Sequence, residues 1–500
     1  MLIVRTAKLD KLRKSIGSDM FGRAARAFPE VSDGPISHLH HWAKITPNAK
    51  AMVGPNLTLT WQELLTQVQL VARWLREQEL TGGVLIDAQD EYERIYSLAC
   101  FHEGLFFAGL PASYDHAALK KLGFANILTV NPDLTSGHLK LIIISNSSLD
   151  SSTQGLAVLQ PAEVASTDLV RVVFSSGTTG LPKPTPFTLE LQNGRAESAS
   201  EHYMKQAPFF TTVGFRTTAG STCLFLDIWR GATNFTPGSP AANLSMIRRH
   251  KVRGIMGSPT ALDALRLAAA SSDSSDLEVE EIVSAGSFVH PLLANRLAET
   301  FGCKVTNVYG STEAGLMAHS DATTTPNDVC ELYPGVEIRI VGDEGQSLDS
   351  GQSGALLVKT PYMRVRYLDG DPFDPIDSGN LFNPGDLAEL DSQGKLRLLG
   401  RQDDVINISG VKIAPKPIED FAIESLGVSE AASMLATNQD GRNFHVMFVV
   451  SDEQLDPVEL LKKLKSKFQL KSPQLVMQVP NIPKNEMGKV SRKAQIETLA

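Results

Sequence analysis

Short apolar segments alternate with helix-like segments over most of the chain, and this alternation constrains the fold more than any other feature. Residues 58–77 repeat apolar side chains with a period close to 3.6, which predicts an amphipathic helix, and residues 291–301 predict another. The apolar runs between such helices predict buried strands: GVLIDA, KLIIIS, LVRVVF, RGIMGS, EEIVSA and CKVTNVY. Strands that alternate with helices indicate an α/β architecture with mostly parallel sheets.

The pattern changes near residue 330. The strand candidates EIRIVGD, GALLVKT and LAELDSQGKLRLLG are separated by Gly, Asp and Asn turns, which leave little room for crossover helices. Such spacing predicts antiparallel, barrel-like structure. After residue 400, a helix near 417–426, the strand HVMFVV and a helix at 457–468 predict a small α+β domain.

Composition limits the possible functions. The chain has 500 residues, enough for two or more lobes, and 47 Lys and Arg against 56 Asp and Glu give a net charge of −9. We expect no nucleic-acid partner, because such a partner requires a broad cationic surface. The four cysteines form no C-x-x-C pair, the N-terminus lacks a secretory signal, and no apolar stretch reaches the ~20 residues of a membrane span. These features predict a cytoplasmic protein without a membrane span and leave its oligomeric state open.

The segment VVFSSGTTGLPKP carries the strongest local signal. A predicted strand leads into small, hydroxyl-bearing and glycine residues that expose backbone N–H groups, as the binding of phosphate oxygens requires. The spacing differs from G-x-x-x-x-G-K-[ST], which disfavours a kinase-like function. The predicted phosphate-binding residues are Ser175, Ser176, Gly177, Thr178, Thr179, Gly180 and Lys183.

SSGTTGLPK resembles the phosphate loop of the AMP-forming adenylating superfamily, which includes acyl- and aryl-CoA synthetases, firefly luciferases and the adenylation domains of peptide synthetases. The segments NVYGSTEAG, GDLAELDSQGKLRLLGRQDDVINISG and PKNEMGKVSRKA resemble later signatures of that superfamily, in the same order. The resemblance implies an α/β fold: a large N-terminal domain of doubly wound sheets plus a distorted β-barrel (1–400), a hinge (401–403) and a small mobile α+β C-terminal domain (404–500).

The resemblance also implies roles for the residues of NVYGSTEAG. The Tyr309 ring faces the purine, the Thr312 hydroxyl contacts a phosphate, and the Glu313 carboxylate binds Mg²⁺. The segment SAGS precedes this motif, at the place where the superfamily forms one wall of its adenine pocket. The remaining residues expected to face the nucleotide here are Gly286, Ser287, Gly310 and Ser311.

The third motif implies contacts to the ribose and to a thiol substrate. Asp386, after Gly385, would accept hydrogen bonds from both ribose hydroxyls, and Arg401 would hold the ribose from the other side. A lone Asp or Arg in a turn is more often a solvated charge or a surface ion pair, so the GD…GR spacing is what favours this role. Gly410 either makes room for a pantetheine arm or is an ordinary turn glycine, and Lys412 completes the expected cofactor-binding residues.

The activity implied by the resemblance is ATP-dependent activation of a carboxylic acid. The carboxylate attacks the α-phosphorus of magnesium-bound ATP, pyrophosphate leaves, and the acyl-AMP then reacts with a thiol, with CoA favoured. A carrier-protein phosphopantetheine acting in trans is an alternative acceptor, and a degenerate nucleotide-binding interaction protein is an alternative of another class. The expected cofactors are ATP, Mg²⁺ and CoA or phosphopantetheine.

The acyl pocket is expected to be lined from residues 209–225, which are mostly apolar or hydroxyl-bearing. The first acid after them is Asp227, in a strand-like run, so no carboxylate is placed to bind the ammonium group of an amino acid. We therefore expect a non-amino aryl or aliphatic acid. The cluster of His38, His40 and His41 lacks further ligands at matching spacing, which favours a solvated or capping role over a metal site.

Three prolines depart from the superfamily pattern. Pro184 stands where glycine is usual, Pro384 where threonine is common, and Pro417 where an acidic residue is usual. Each of them restricts the backbone, so the local geometry around the phosphate loop, the ribose motif and the C-terminal helix is open at this stage.

Lys489→Ala tests the role that the resemblance implies for the last motif. A lysine ammonium between the attacking carboxylate and the α-phosphate lowers the repulsion between two negative groups. Because this lysine is expected to rotate away in the second half-reaction, the substitution should remove nearly all adenylate formation, measured as pyrophosphate release. Thioester formation from supplied acyl-adenylate should be spared, and equal loss of both half-reactions would contradict the assignment.

Overall fold

The computed structural model describes residues 34–111, 115–145, 159–175, 183–271, 276–324, 329–363, 367–368, 381–408, 411–437, 443–451 and 453–483. The chain divides into two compact units, Met1–Ile255 with Ser272–Glu281, and Met256–Ser271 with Ile282–Ala500. The hinge expected at 401–403 lies inside the second unit and remains a prediction.

The described part of the first unit contains helices and strands in alternation. The helices are α1 (Gly34–Ile45), α2 (Trp61–Glu77), α3 (Asp90–His102), α4 (His116–Lys121), α5 (Leu189–His202), α6 (Thr218–Arg230) and α7 (Pro240–Arg249). The strands are β1 (Lys50–Val53), β2 (Thr58–Thr60), β3 (Gly83–Asp87), β4 (Phe107–Gly109), β5 (Phe124–Thr129), β6 (Lys140–Ile143), β7 (Leu169–Ser175), β8 (Lys183–Thr188), β9 (Phe209–Thr211) and β10 (Asn234–Phe235).

Six of these strands form the main sheet of the first unit, in the order β6-β5-β3-β4-β7-β8. All neighbouring pairs are parallel except β7 and β8, which are antiparallel. The predicted parallel α/β architecture is therefore confirmed for this unit. β10, β1 and β2 form a smaller sheet beside it.

Helix α2 shows how the sequence pattern determines packing. The Thr60 side chain accepts a hydrogen bond from the backbone N–H of Glu63, and the Glu63 side chain accepts one from the backbone N–H of Thr60, so a capping box starts the helix. Leu64, Val68 and Leu75 form its buried stripe. Each such side chain contributes about 1.5–3 kcal/mol when fully buried. The predicted helix began at residue 58, but residues 58–60 form β2 instead.

The run around Asp227 is helical, and the strand-like interpretation of it was wrong. A short apolar run does not by itself distinguish a strand from a buried helix, and here it forms α6. Asp227 is 1% exposed and accepts hydrogen bonds from Arg230 and Asn234, each at 2.8 Å. Burial raises the pKa of Asp227, and Arg230 opposes that rise. Arg94 donates to Asn234 at 2.7 Å, which extends this buried polar network to α3.

The cluster of His38, His40 and His41 was expected to be solvated or capping, and the solvated role is wrong for His38, because this side chain is 4% exposed within α1. Among the residues that the structure describes, no group of three or more His, Cys, Asp or Glu side chains is placed to hold a metal ion. In the same part of the chain, no helix has the length and apolar character to cross a bilayer.

The second unit contains four helices among its described residues: α8 (Pro259–Ala270), α9 (Pro291–Phe301), α10 (Lys416–Ser425) and α11 (Pro457–Phe468). The chain passes from the first unit to the second within β11 (Gly254–Gly257). The strands of the second unit are β12 (Glu281–Ala285), β13 (Lys304–Ser311), β14 (Gly315–Asp321), β15 (Val329–Leu332), β16 (Glu337–Val341), β17 (Gly354–Lys359), β18 (Asp386–Leu390), β19 (Leu396–Arg401), β20 (Ile406–Ile408), β21 (Val411–Ile413), β22 (Glu430–Thr437), β23 (Asn443–Val450) and β24 (Leu475–Gln478).

The strands between residues 304 and 401 follow the order β16-β17-β18-β19-β15-β14-β13. All of these pairs are antiparallel, as predicted. The order has β16 at one end, so hydrogen bonds among the described strands do not close a barrel. The sheet nevertheless curls, because β13 and β18 are separated by four strand intervals, about 19 Å in a flat sheet, and yet Tyr309 on β13 contacts Asp386 on β18.

The interior of this curled sheet is apolar. Side chains from six of its strands form one buried cluster, and Tyr309 packs against that cluster: Ala318, Cys330, Ile340, Leu356, Ala388 and Leu396. The predicted barrel-like character is thus present as curvature around a shared core rather than as a closed ring of strands.

The described residues after 404 form α+β structure, as predicted. β22 and β23 are antiparallel, β24 is parallel to β23, and β20 pairs with β21. Ile406, Ile418, Met447 and Leu464, which come from different elements, meet in one buried cluster. This segment therefore has a core of its own.

Gly231→Ala and Gly302→Ala form a matched test of packing at helix ends. Both glycines cap a helix in the left-handed conformation, at φ 69° and 66°, so alanine costs about 1–2 kcal/mol at either position. A Cβ on Gly231 would lie 2.5 Å from the Trp42 ring, whereas one on Gly302 has no neighbour within 4 Å. We expect Gly231→Ala to lose about 1–3 kcal/mol more in the free energy of unfolding by urea. Equal losses would show that Trp42 moves aside without cost.

Candidate functional site

The predicted phosphate loop connects the antiparallel strands β7 and β8. Ser175, the last residue of β7, pairs with Lys183, the first residue of β8. The Ser175 hydroxyl donates to the carbonyl of Lys183 at 3.5 Å. Ser176, Gly177, Thr178, Thr179 and Gly180 lie outside the described residues. Pro184 is on β8, the last strand in the order of this sheet, where a missing backbone N–H is tolerated.

The turn between β13 and β14 carries Thr312 and Glu313. The Ser311 hydroxyl oxygen accepts a hydrogen bond from the backbone N–H of Ala314 at 3.0 Å. A Cβ on Gly310 would lie 2.6 Å from the carbonyl oxygen of Gly315 in the facing strand. Only glycine fits this close approach, so the motif glycine fixes how the turn presents Thr312 and Glu313.

Glu313 is 9% exposed, and its Oε1 accepts a hydrogen bond from the Tyr367 hydroxyl at 3.3 Å. A carboxylate of low exposure that is oriented by a neutral donor fits the binding of Mg²⁺, which uses one or two carboxylates together with substrate phosphates. Sequence reasoning missed Tyr367, because it lies in the segment RVRYLDGD, between the recognisable motifs.

Asp386 is held by two side chains. The Tyr309 hydroxyl donates to Oδ2, and Arg401 Nη1 donates to Oδ1 at 3.0 Å. Burial, followed by the negative charge of Asp386, raises the pKa of the Tyr309 hydroxyl well above its ordinary value, so Tyr309 is a neutral donor. The Asp386 side chain keeps 14% of its surface exposed.

The GD…GR spacing has a direct structural cause. Asp386 and Arg401 are paired residues of the antiparallel strands β18 and β19. Gly385 has φ 81°, and a Cβ there would lie 2.8 Å from Arg401 Nη2. The backbone carbonyl of Pro384 accepts a hydrogen bond from Arg401 Nη1 at 2.6 Å. Pro384, which departs from the superfamily pattern, therefore helps to hold Arg401 beside Asp386. Gln402 donates to the backbone carbonyl of Asp386 at 3.1 Å.

The SAGS segment leads from β12 toward α9. Gly286 has φ 91°, a conformation that favours glycine, and Ser287 follows it. The Lys416 ammonium on α10 lies 3.6 Å from the centre of the Phe288 ring. His290 caps α9 by accepting from the backbone N–H of Leu292 at 3.2 Å. Burial, followed by the positive charge of Lys416, lowers the pKa of His290 from 6.5 to about 4.

The other predicted residues stand apart from this group. Lys412, on β21, is exposed and forms an ion pair with Asp343 at 2.6 Å. Pro417 occupies the first turn of α10, where helices accept proline. Gly410 and Lys489 lie outside the described residues. Of the predicted ribose and purine residues, the structure brings together Tyr309, Asp386 and Arg401.

Comparison with known proteins gives a family match. The model of the family described as AMP-binding enzyme matches residues 39–368, which is well over half of the chain. The matched range includes the predicted phosphate loop and the β13–β14 turn, and it ends before Asp386 and Arg401.

Two curated relatives illustrate the range of similar proteins. The chain is 26% identical over 379 residues to 2-hydroxy-7-methoxy-5-methyl-1-naphthoate–CoA ligase of Streptomyces carzinostaticus, covering 69% of this chain and 65% of that protein. It is 24% identical over 486 residues to tyrocidine synthase 3 of Brevibacillus parabrevis, covering 90% of this chain and 7% of that protein. The chain thus spans less than two thirds of the length of either relative.

Solved structures show the same fold. The crystal structure of ATP-bound MatB from Rhodopseudomonas palustris superposes with a TM-score of 0.80 at 19% identity, covering 93% of this chain and 99% of that one.

His290→Asn tests the electrostatics next to the SAGS segment. Because the folded pKa of His290 lies below the unfolded value, protonation favours unfolding, and stability is lost as pH falls from 6.5 toward about 4. Asparagine keeps the helix-capping acceptor without titrating. We expect the drop in urea midpoint between about pH 7 and about pH 5 to be smaller in His290→Asn than in the parent protein. The exposed His138→Asn is the control and should keep the full drop; an unchanged drop in His290→Asn would contradict the assignment.

Proposed function

Because the chain belongs to the AMP-binding enzyme family, we propose that it uses ATP to activate a carboxylic acid as acyl-AMP and then transfers the acyl group to a thiol, with CoA as the favoured acceptor. The observation that carries this proposal is the Asp386 carboxylate, held by Tyr309 and Arg401 with part of its surface open.

Ribose binding follows from the acceptor capacity of Asp386. An ionised carboxylate has about four acceptor positions on its two oxygens. Tyr309 donates to one of these oxygens and Arg401 to the other, and we propose that the ribose hydroxyls donate to the same carboxylate. The Tyr309 ring, which is partly buried beside Asp386, offers its face to the purine.

Phosphate binding is assigned to the hydroxyl- and glycine-rich loop that begins at Ser175, to Lys183 and to the Thr312 hydroxyl. Glu313 would hold Mg²⁺, which, when bound, neutralises charge on the phosphate oxygens. Tyr367 keeps the Glu313 carboxylate oriented for that role. Lys489 is proposed to approach the reacting carboxylate and α-phosphate during adenylation.

We propose that the acid is a non-amino aryl or aliphatic acid. An amino-acid substrate requires a carboxylate for its ammonium group, and both oxygens of Asp227 already accept hydrogen bonds inside the core. Phe209 and Phe210, at the start of the segment expected to line the acyl pocket, are apolar and buried. The naphthoate–CoA ligase relative, whose name specifies an aromatic acid, supports this choice.

A holo carrier protein is the second candidate acceptor. A phosphopantetheine thiol stays the alternative to CoA, since tyrocidine synthase 3, which is similar to this chain over 90% of it, is not named as a CoA ligase. Either thiol would reach the acyl-AMP after the segment 404–500 turns about the hinge at 401–403. The ion pair between Lys412 and Asp343 and the Lys416–Phe288 contact join this segment to residues that precede the hinge, so both contacts would break or change during that rotation.

Incubation with ATP, Mg²⁺ and a panel of aryl, aliphatic and amino acids tests the activity. We expect pyrophosphate release only when a non-amino acid is present, and AMP and acyl-thioester in equal amounts when CoA is added. Thioester formation only with a holo carrier domain would select the second acceptor. Production of ADP, or no acid-dependent pyrophosphate with any acid, would contradict the proposed function.

A further inference from the structure

We propose that the Tyr309 hydroxyl positions Asp386 for ribose recognition, a role separate from that of the Tyr309 ring; this inference rests on the proposed function. A ring that served the purine alone would need no hydroxyl. The hydroxyl instead donates to Asp386 Oδ2, on a strand four places away in the sheet. Tyr309 is therefore a positioning residue through its oxygen as well as a binding surface through its ring.

The need for a second donor follows from the freedom of an Asp side chain. The terminal torsion of aspartate has a broad energy profile, so a carboxylate held at one oxygen can still rotate about it. Arg401 holds Oδ1, and its side chain is 38% exposed. The Tyr309 hydroxyl holds the opposite oxygen and has a rigid ring behind it. The two donors together fix the plane of the carboxylate.

The sheet supports this arrangement on both sides. A register shift between Tyr309 and Gly310 interrupts the regular pairing of β13 with β14 at the position of the tyrosine. The Tyr309 ring packs on the buried cluster inside the curled sheet, which limits its movement. On the other side, Gln402 donates to the backbone carbonyl of Asp386 at 3.1 Å. Donor and acceptor are thus each fixed by contacts independent of the hydrogen bond between them.

The charge state suits the role as well. A phenolate would repel the Asp386 carboxylate, but the environment of Tyr309 keeps its hydroxyl protonated. A hydrogen bond from a neutral donor leaves the negative charge of Asp386 in place for the ribose hydroxyls. Arg401 supplies the compensating positive charge.

Tyr309→Phe, which removes one oxygen and keeps the ring, tests the inference by calorimetric binding of AMP and of 2′,3′-dideoxy-AMP. We expect Tyr309→Phe to weaken AMP binding about tenfold, since hydrogen bonds to charged groups are the strong ones. Binding of dideoxy-AMP, which lacks both ribose hydroxyls, should be unchanged by the substitution. Tyr96→Phe is the matched control: it removes the hydroxyl of another buried tyrosine, on α3, and should alter neither affinity.

Asp386→Asn completes the test as a double-mutant cycle. If the hydroxyl acts through Asp386, adding Tyr309→Phe to Asp386→Asn should cause little further loss of AMP affinity. Equal loss of AMP and dideoxy-AMP binding in Tyr309→Phe, or additive losses in the double variant, would overturn the inference. A failure of the proposed function would give a different result. In that case the unmodified protein would not bind either nucleotide, or it would release no pyrophosphate with any acid.

Discussion

The contact of Asp386 with Tyr309 and Arg401 depends on the curl of the antiparallel sheet in the second unit. Asp386 and Arg401 meet because they are paired across β18 and β19. Tyr309 meets them only because the sheet brings β13 back toward β18, across a separation of about 19 Å in a flat sheet. The apolar cluster inside the sheet, against which Tyr309 packs, stabilises that curvature. The packing of this core therefore also determines the geometry of the proposed ribose site.

Much of this arrangement could be predicted from the sequence. Apolar runs predicted strands of both large sheets, including antiparallel strands after residue 330, and the 3.6-residue period predicted helices such as α2 and α9. The resemblance also indicated the proximity of Asp386 and Arg401, because it placed both residues at the ribose, and the structure pairs them on adjacent strands. The hydroxyl contact of Tyr309 and the pairing of Glu313 with Tyr367 were beyond prediction, since they join positions 77 and 54 residues apart through the sheet's curvature.

Two predictions made from the sequence were wrong, and both errors have physical causes. LFLDIW around Asp227 is apolar enough for a strand, but it lies within a helix, and its one carboxylate is ion-paired with Arg230 and hydrogen-bonded by Asn234. His38 looked like part of a polar cluster, but helix α1 turns it into the core. The three unusual prolines left the local backbone geometry open in the sequence, and the structure accommodates each of them. Pro184 is on the last strand of its sheet, and Pro417 is in the first turn of a helix. The backbone carbonyl of Pro384 accepts a hydrogen bond from Arg401.

A crystal structure of this protein soaked with AMP tests the central claim most directly. The account predicts both ribose hydroxyls within hydrogen-bond distance of Asp386, the purine against the Tyr309 ring, and the phosphate toward Thr312. A nucleotide bound elsewhere, or a ribose turned away from Asp386 while Tyr309 and Arg401 still hold it, would contradict the account.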